Sequence, residues 1–169
     1  SSSQPERIVS AGTVAGNTVE RTVIKRSFSL NPVPAAHLIP RTGLTPLGYL
    51  QLRTFVSTAD SQLRSAFASF RANNVTDLVV DLRYNGGGLV ATAELLSDLL
   101  SAGRIGQLQY RTRLNTSKTR DEISVNFLSR AEAIQATRIA FITTGSSASA
   151  SELVINSLAP YAAVAIVGG

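Results

Sequence analysis

The sequence of 169 residues contains no cysteine, no methionine and no tryptophan. Without cysteine the chain has neither disulfides nor thiolate metal sites. It also lacks a run of the about 20 apolar residues that a membrane-spanning helix needs, and it shows no apolar segment of a secretory signal. Histidine, aspartate and glutamate are not clustered at the spacing of metal ligands. We therefore expect no stable membrane insertion and no metal or other cofactor.

Charged residues are scarce, at 16% of the chain, whereas hydrophobic residues make up 44%. This composition is typical of a globular domain and excludes a disordered chain. The net charge of +5 and the pI of about 10.2 raise nucleic-acid binding as an alternative. However, the arginines are scattered from Arg7 to Arg138 without a dense run, and aromatic residues are not interleaved with them as base-stacking platforms. The sequence therefore predicts no nucleic-acid partner.

Proline divides the chain into two parts. Four of the six prolines lie between residues 31 and 46. We interpret residues 1–46 as an N-terminal extension, with a strand over residues 20–30, followed by a Pro-rich connector. Residues 47–169 then form the folded core.

Strand and helix signals alternate within the core. Strands are predicted at 48–55, 76–82, 106–112, 138–143 and 162–167, and helices from Ser57, at 89–101, 130–136 and 150–159. Residues 112–127 are interpreted as a loop, and Ser57 and Asp60 as a capping box. In the helix that follows, Leu63, Phe67 and Phe70 share one face, whereas Gln107, Gln109 and Arg111 are expected to face outward from their strand. The alternation predicts an α/β fold with helices packed on a mostly parallel sheet.

Small residues fill one predicted strand-to-helix turn, Gly145-Ser-Ser-Ala-Ser-Ala-Ser-Glu152. A helix N-terminus offers unpaired N–H groups and a partial positive charge. That environment suits chemistry in which an oxyanion develops beside a serine hydroxyl. The alternative interpretation is an N-cap in a Ser-rich loop, since serine is a favoured cap.

A second turn, Asp81-Leu-Arg-Tyr-Asn-Gly-Gly-Gly88, follows the strand at 76–82. Consecutive glycines let the backbone approach a ligand closely and point N–H groups at it. The spacing does not match a phosphate-binding loop. A tight turn that demands positive φ explains the glycines equally well.

The two motifs, in this order, resemble the paired signatures of the C-terminal processing peptidases, which are also called tail-specific proteases. The resemblance covers roughly residues 48 to 168. It implies the crotonase-type ββα spiral core and a serine endopeptidase that cleaves protein or peptide substrates and recognises their C-terminal regions. It also implies a periplasmic or otherwise extracytoplasmic location.

The resemblance assigns roles to individual residues. Ser149 matches the nucleophile, and the backbone N–H of Ala150 matches one oxyanion donor. The other donor is a glycine of the second motif, for which we expect Gly87, with Gly88 as the alternative. The family's general base is a lysine about two dozen residues beyond the serine, which at this spacing would follow Gly169. The resemblance thus implies that the core is incomplete here and inactive on its own.

The sequence offers few other candidates for the general base that would activate Ser149. The single histidine, His37, lies in a Pro-rich segment, and the two lysines, Lys25 and Lys118, lie in a strand-like run and a polar loop. None has the apolar surroundings that bring a lysine pKa towards neutrality. A triad that recruits His37 remains an alternative, because triads are recognised by geometry and not by sequence order.

Four polar residues are expected to support the site: Asp81, Arg83, Asn85 and Glu152. Asp81 and Arg83, paired with each other or with Glu152, would hold the glycine turn near Ser149, since a charge within an apolar strand needs a partner. The alternative is a solvated surface pair of little energetic value. For the whole chain, the alternative function is a catalytically inactive binding module on the same fold, holding a peptide or an apolar ligand.

Overall fold

The computed structural model describes residues 7–14, 17–24, 30–113 and 122–169. Contacts divide the chain into two units, Ser1–Leu30 and Asn31–Gly169. In the first unit, strands β1 (Arg7–Val14) and β2 (Asn17–Ile24) form an antiparallel pair in which Val14 lies opposite Asn17. The strand predicted at 20–30 is thus present to Ile24, and its remainder falls on residues 25–29, which lie outside the described ranges.

Five strands of the second unit form one mixed sheet. They are β3 (Ala35–Ile39), β4 (Leu47–Gln51), β5 (Asp77–Asp81), β8 (Arg138–Thr143) and β9 (Ala163–Gly168), and they lie side by side in that order. Only the β3–β4 pair is antiparallel. The predicted α/β fold with a mostly parallel sheet is confirmed, and β5 is central and almost wholly buried.

Each pair of successive parallel strands is connected through a helix. Helix α1 (Asp60–Ala72) links β4 to β5, α2 (Val90–Leu99) lies between β5 and β8, and α3 (Ala150–Leu158) links β8 to β9. All three contribute to one core on one face of the sheet, and that core includes the predicted α1 face of Leu63, Phe67 and Phe70. No helix in the described part of the chain is long and apolar enough to cross a membrane.

The core packs against a row of register partners in the sheet. Leu50 of β4 pairs with Val80 of β5, and Val80 pairs with Phe141 of β8. All three side chains are fully buried. Because side chains alternate along a strand, the next row, Gln51, Asp81 and Ile142, lies on the opposite face of the sheet. This second row leads directly to the carboxyl edge of the sheet.

A hairpin between α2 and β8 differs from the prediction. Strand β6 (Leu108–Arg111) pairs with β7 (Ser124–Asn126), which lies inside the predicted loop of residues 112–127. Gln109 was expected to face outward but is buried, and its Nε2 donates to Asp98 Oδ1 at 3.1 Å. The buried Asp98 carboxylate also accepts from Leu128 N and from Arg130. Its need for donors explains why a polar side chain turns inward here.

Three further local predictions are wrong. Strand β3 lies within the predicted connector, where prolines bracket a five-residue run and are tolerated because the strand is at an edge. Residues 130–136 form a turn and not a helix, because Ile134 N and Ala136 N bond to carbonyl groups at the end of α2. No capping box forms at Ser57, since Asp60 accepts a hydrogen bond from the Thr92 hydroxyl at 2.9 Å.

Asp77, the first residue of β5, is held by two arginines at the amino edge of the sheet. Its Oδ2 lies 2.5 Å from Arg138 Nη2 and 2.8 Å from Arg41 Nη2. The hydrogen bond from Arg138, aided by Arg41, outweighs the effect of burial and lowers the pKa of Asp77 to about 2. The ionised carboxylate is therefore the form that the fold favours.

The substitution Asp77→Asn tests this anchor. A carboxyl group whose pKa is lower in the folded state stabilises the protein at pH values above its unfolded pKa of about 3.9. This stabilisation is lost as the pH falls through the folded pKa. We expect wild type to be more stable than Asp77→Asn near neutral pH, and the difference in free energy of unfolding to shrink between about pH 4 and pH 2. Urea denaturation across this range measures it; a difference that does not change with pH would contradict the prediction.

Candidate functional site

The two motifs of small residues lie side by side at the carboxyl edge of the sheet. One follows β5 and the other follows β8, and these strands are parallel neighbours. The side chains of Thr144 and Ser147 join the turns: Tyr84 N donates to Thr144 Oγ1 at 3.1 Å, and the Ser147 hydroxyl donates to the Leu82 carbonyl at 2.7 Å. Sequence reasoning did not single out Thr144 and Ser147. Their position directly after a buried strand, as hydroxyl residues in a turn, was the available signal.

Asn85 is the central residue of the junction and is fully buried. Its backbone carbonyl accepts from Ala148 N at 3.2 Å and from the Ser151 hydroxyl at 2.9 Å. Its side-chain Nδ2 donates to the Leu52 carbonyl at 2.9 Å, and its Oδ1 accepts from Gly87 N at 3.0 Å. One residue thus fixes the glycine turn, the end of β4 and the start of α3. The hydrogen bond to the Asn85 carbonyl also satisfies the hydroxyl of Ser151, which is buried.

Ser149 has a strained backbone. It is exposed, lies immediately before α3, and has φ 57° and ψ −113°. Positive φ is uncommon for a residue with a Cβ. Glu152 stabilises this conformation, because its Oε2 accepts a hydrogen bond from Ser149 N at 2.7 Å. A serine on a strained turn between a strand and a helix is the geometry in which α/β-hydrolases present their nucleophile.

Ala150 carries the unpaired N–H group of this turn. Among the five consecutive residues from Ser147 to Ser151, the other four N–H groups donate to Thr144 O, Asn85 O, Glu152 Oε2 and Ala148 O. Ala150 N has no hydrogen-bond partner within residues 30–113 and 122–169. It lies at the first position of α3, where the helix dipole adds positive potential. The arrangement is suited to binding an anionic oxygen next to the Ser149 hydroxyl.

Gly87 leaves open the space beside that N–H group. A Cβ at Gly87 would lie 2.8 Å from Ser149 Cβ and 3.1 Å from Ala150 N. Gly87 has φ +106° and Gly88 φ +139°, so both adopt a conformation that favours glycine. The Gly87 carbonyl accepts from Phe55 N at 3.0 Å. Because C=O and N–H point in opposite directions across a trans peptide, the Gly88 N–H points away from Phe55.

Asp81 and Arg83 pair with each other and not with Glu152. Arg83 Nη2 lies 2.6 Å from Asp81 Oδ2, and the Tyr49 hydroxyl donates to the same oxygen at 2.7 Å. Burial disfavours the charged carboxylate, but these hydrogen bonds outweigh it and lower the pKa of Asp81. Burial and the contact with Asp81 raise the pKa of Tyr49. The ion pair fixes the end of β5 from which the glycine turn departs.

The described residues supply no evident base for Ser149. His37 lies in β3, three strands away from β8, which corresponds to roughly 14 Å between their backbones. Lys25 and Lys118 fall outside the described ranges. Nor does the described part of the chain contain a group of three or more His, Cys, Asp or Glu residues that would suit a metal ion.

Comparisons with known proteins identify related chains. A model of peptidase family S41 matches residues 46–169. The chloroplastic C-terminal processing peptidase of Tetradesmus obliquus is 33% identical over 108 residues, which cover 57% of this chain and 23% of that protein. The chloroplastic carboxyl-terminal-processing peptidase 2 of Arabidopsis thaliana is 39% identical over 70 residues, covering 40% of this chain and 14% of that protein.

Solved structures share the fold. A putative S41 protease from Bacteroides fragilis superposes with a TM-score of 0.76 at 26% identity, covering 95% of this chain and 46% of that one. The photosystem II D1 C-terminal processing protease gives a TM-score of 0.67 at 22% identity, covering 96% and 43%. The chain therefore spans less than a quarter of these two curated relatives and less than half of these two structures.

Alanine substitutions at two glycines test the close approach of the turns. Gly87 and Gly106 both have positive φ, but a Cβ at Gly106 meets nothing within 4 Å. Both variants incur backbone strain of about 1 kcal/mol or more. Gly87→Ala must also displace the Ser149 turn, so we expect it to lower the free energy of unfolding by at least about 1 kcal/mol more than Gly106→Ala does, measured by urea denaturation. Equal losses would show that the turns are not in contact.

Proposed function

The chain belongs to peptidase family S41, and we therefore propose that it contributes the nucleophile and the oxyanion site of a serine endopeptidase that cleaves protein substrates. The observation that carries the proposal is the strained, exposed Ser149 beside the Ala150 N–H, which has no hydrogen-bond partner among the described residues. Recognition of C-terminal regions of the substrate is part of the proposal, and the similarity to two C-terminal processing peptidases supports it.

In the proposed reaction, Ser149 Oγ attacks the carbonyl carbon of the substrate peptide as its proton passes to a base. The carbonyl oxygen becomes an oxyanion, and backbone donors fixed about 3 Å away stabilise it. Ala150 N–H is one proposed donor. For the second, the sequence favoured Gly87, yet the Gly87 N–H already donates to Asn85 Oδ1. The orientation of the Gly88 N–H supports Gly88 in this role, with Gly87 supplying the space for the oxyanion.

The proposed base is a lysine outside the 169 residues. In the family that the sequence resembles, it lies about two dozen residues beyond the serine. Strand β9 runs parallel to β8, and Gly168 lies opposite Thr143, so residues that follow would begin at the edge that carries Ser149. Burial of such a lysine in the completed site would lower its pKa and let it accept the serine proton. On this proposal, the 169 residues alone are inactive.

We propose that the four supporting residues hold the reacting groups in place. Asn85 and Glu152 hold the turn and the N–H groups in place, and the Asp81–Arg83 pair fixes the strand end before the glycines. We also propose that the protein acts outside the cytoplasm.

The alternative of a non-catalytic binding module has one observation in its favour. A hollow of about 540 Å³ lies at the amino edge of the sheet, lined by apolar side chains and by the Asp77 ion pairs. A ligand there would be remote from Ser149. On this alternative, substitution of Ser149 would leave the protein's function unchanged.

Substitution of the serine in the full-length protein tests the proposal. We expect Ser149→Ala to lower kcat/KM for casein hydrolysis by at least about a thousandfold, as in other enzymes that lose a serine nucleophile. Ser146→Ala is the matched control, because Ser146 is an exposed serine of the same turn with no proposed role. Casein cleavage that survives Ser149→Ala, or a loss that Ser146→Ala shares, would overturn the assignment.

A further inference from the structure

A hollow of about 400 Å³ lies at the carboxyl edge of the sheet, on the face opposite the helices. It is lined by Gln51, Arg53, Arg83 and Tyr84. Every one of these side chains offers a hydrogen-bond donor, and none carries a carboxylate. Such a lining is suited to an anionic, hydrogen-bond-accepting group.

The two arginines give the hollow a positive charge. Arg83 uses Nε and Nη2 to bind the Asp81 carboxylate, and half of its side chain remains exposed. Its Nη1 has no hydrogen-bond partner within the described residues. Arg53 is exposed, and its side chain has neither an ion pair nor a hydrogen bond in the part of the chain that the structure describes. Since Asp81 neutralises one of the two cations, a net charge of +1 faces the solvent.

The hollow adjoins the proposed active site through both segments that line it. Tyr84 is three residues before Gly87, so their Cα atoms lie at most about 11 Å apart. On the other side, Arg53 precedes Thr54 and Phe55, and Phe55 N donates to the Gly87 carbonyl at 3.0 Å. An extended peptide advances about 3.3 Å per residue. A substrate bound at Ser149 can therefore reach the hollow with a residue about three positions from the scissile bond.

We infer that this hollow is a specificity site, in which Arg53 and Arg83 bind a carboxylate of the substrate about three residues from the bond that is cleaved. The inference rests on the proposed peptidase function. The carboxylate belongs either to an Asp or Glu side chain or to the substrate's own C-terminus, and both present the same planar anion to a guanidinium group. Arg53 determines the preference for a carboxylate over a neutral group, because Arg83 already forms an ion pair with Asp81.

Paired fluorogenic peptides test the site on the full-length protein. Each pair differs only by Glu or Gln at one position, scanned over four residues on either side of the scissile bond, and a second set compares a C-terminal carboxylate with an amide. We expect one position, or the C-terminal set, to show a preference of about tenfold or more in kcat/KM for the carboxylate. The responding set identifies the source of the carboxylate. A preference for neither would overturn the inference.

Variants of Arg53 assign the preference to the hollow. We expect Arg53→Gln to reduce it to about twofold or less through a loss of kcat/KM for the carboxylate peptide, and Arg53→Lys to retain part of it because the charge remains without the planar fork. Arg113→Gln is the matched control, since it removes one charge from an exposed position outside the hollow. A preference that survives Arg53→Gln, or that Arg113→Gln also abolishes, would overturn the role of Arg53.

A binding measurement separates this inference from the proposed function. In the full-length Ser149→Ala variant, fluorescence anisotropy gives the Kd of each labelled Glu and Gln peptide, with and without Arg53→Gln. Tighter binding of the Glu peptide that depends on Arg53 would support the site even if no peptide is cleaved by wild type. Equal Kd values in the presence of normal wild-type cleavage would overturn the site and leave the peptidase proposal standing.

Discussion

The backbone carbonyl of Asn85 accepts hydrogen bonds from both Ala148 N and the Ser151 hydroxyl, and the geometry of the carboxyl edge depends on this shared acceptor. A buried carbonyl without partners is costly, so the junction resists separation of the two turns. The Asn85 side chain extends the constraint to Gly87 and Leu52. Three segments that are distant in sequence are thereby held within hydrogen-bond reach of one residue. The position of Ser149 relative to the glycine turn follows from this junction.

The sheet supplies the rigidity that lets Ser149 adopt a strained backbone. Strand β8 and helix α3 fix the two ends of the turn, and their side chains belong to the same buried core. Strain of about 1–3 kcal/mol persists only where the surroundings determine the conformation. The consequence is chemical, because the turn exposes the serine and leaves the Ala150 N–H group without an acceptor among the residues that the structure describes. The neighbouring hollow, which is lined by Arg53 and Arg83, adds positive charge to the same edge of the sheet.

Periodicity and motif order predicted the parallel sheet, the three main helices and the two turns, because each is encoded in a continuous segment. The inward turn of Gln109 and the non-helical course of residues 130–136 depend instead on groups of α2, the Asp98 carboxylate and the last carbonyls, which local pattern does not reveal. The proposed choice of Gly88 over Gly87 as oxyanion donor likewise rests on peptide orientation, which three successive glycines leave unspecified. Arg53, which lines the neighbouring hollow, was not predicted as a site residue, because its segment was predicted only as part of the strand at 48–55.

We propose that a substrate oxygen lies between the two turns, and a crystal structure of the full-length protein treated with a peptidyl fluorophosphonate tests this directly. We expect a covalent bond from phosphorus to Ser149 Oγ, with the phosphoryl oxygen about 3 Å from Ala150 N and from the backbone N of Gly88. An adduct on another residue, or a phosphoryl oxygen directed away from both turns, would contradict it.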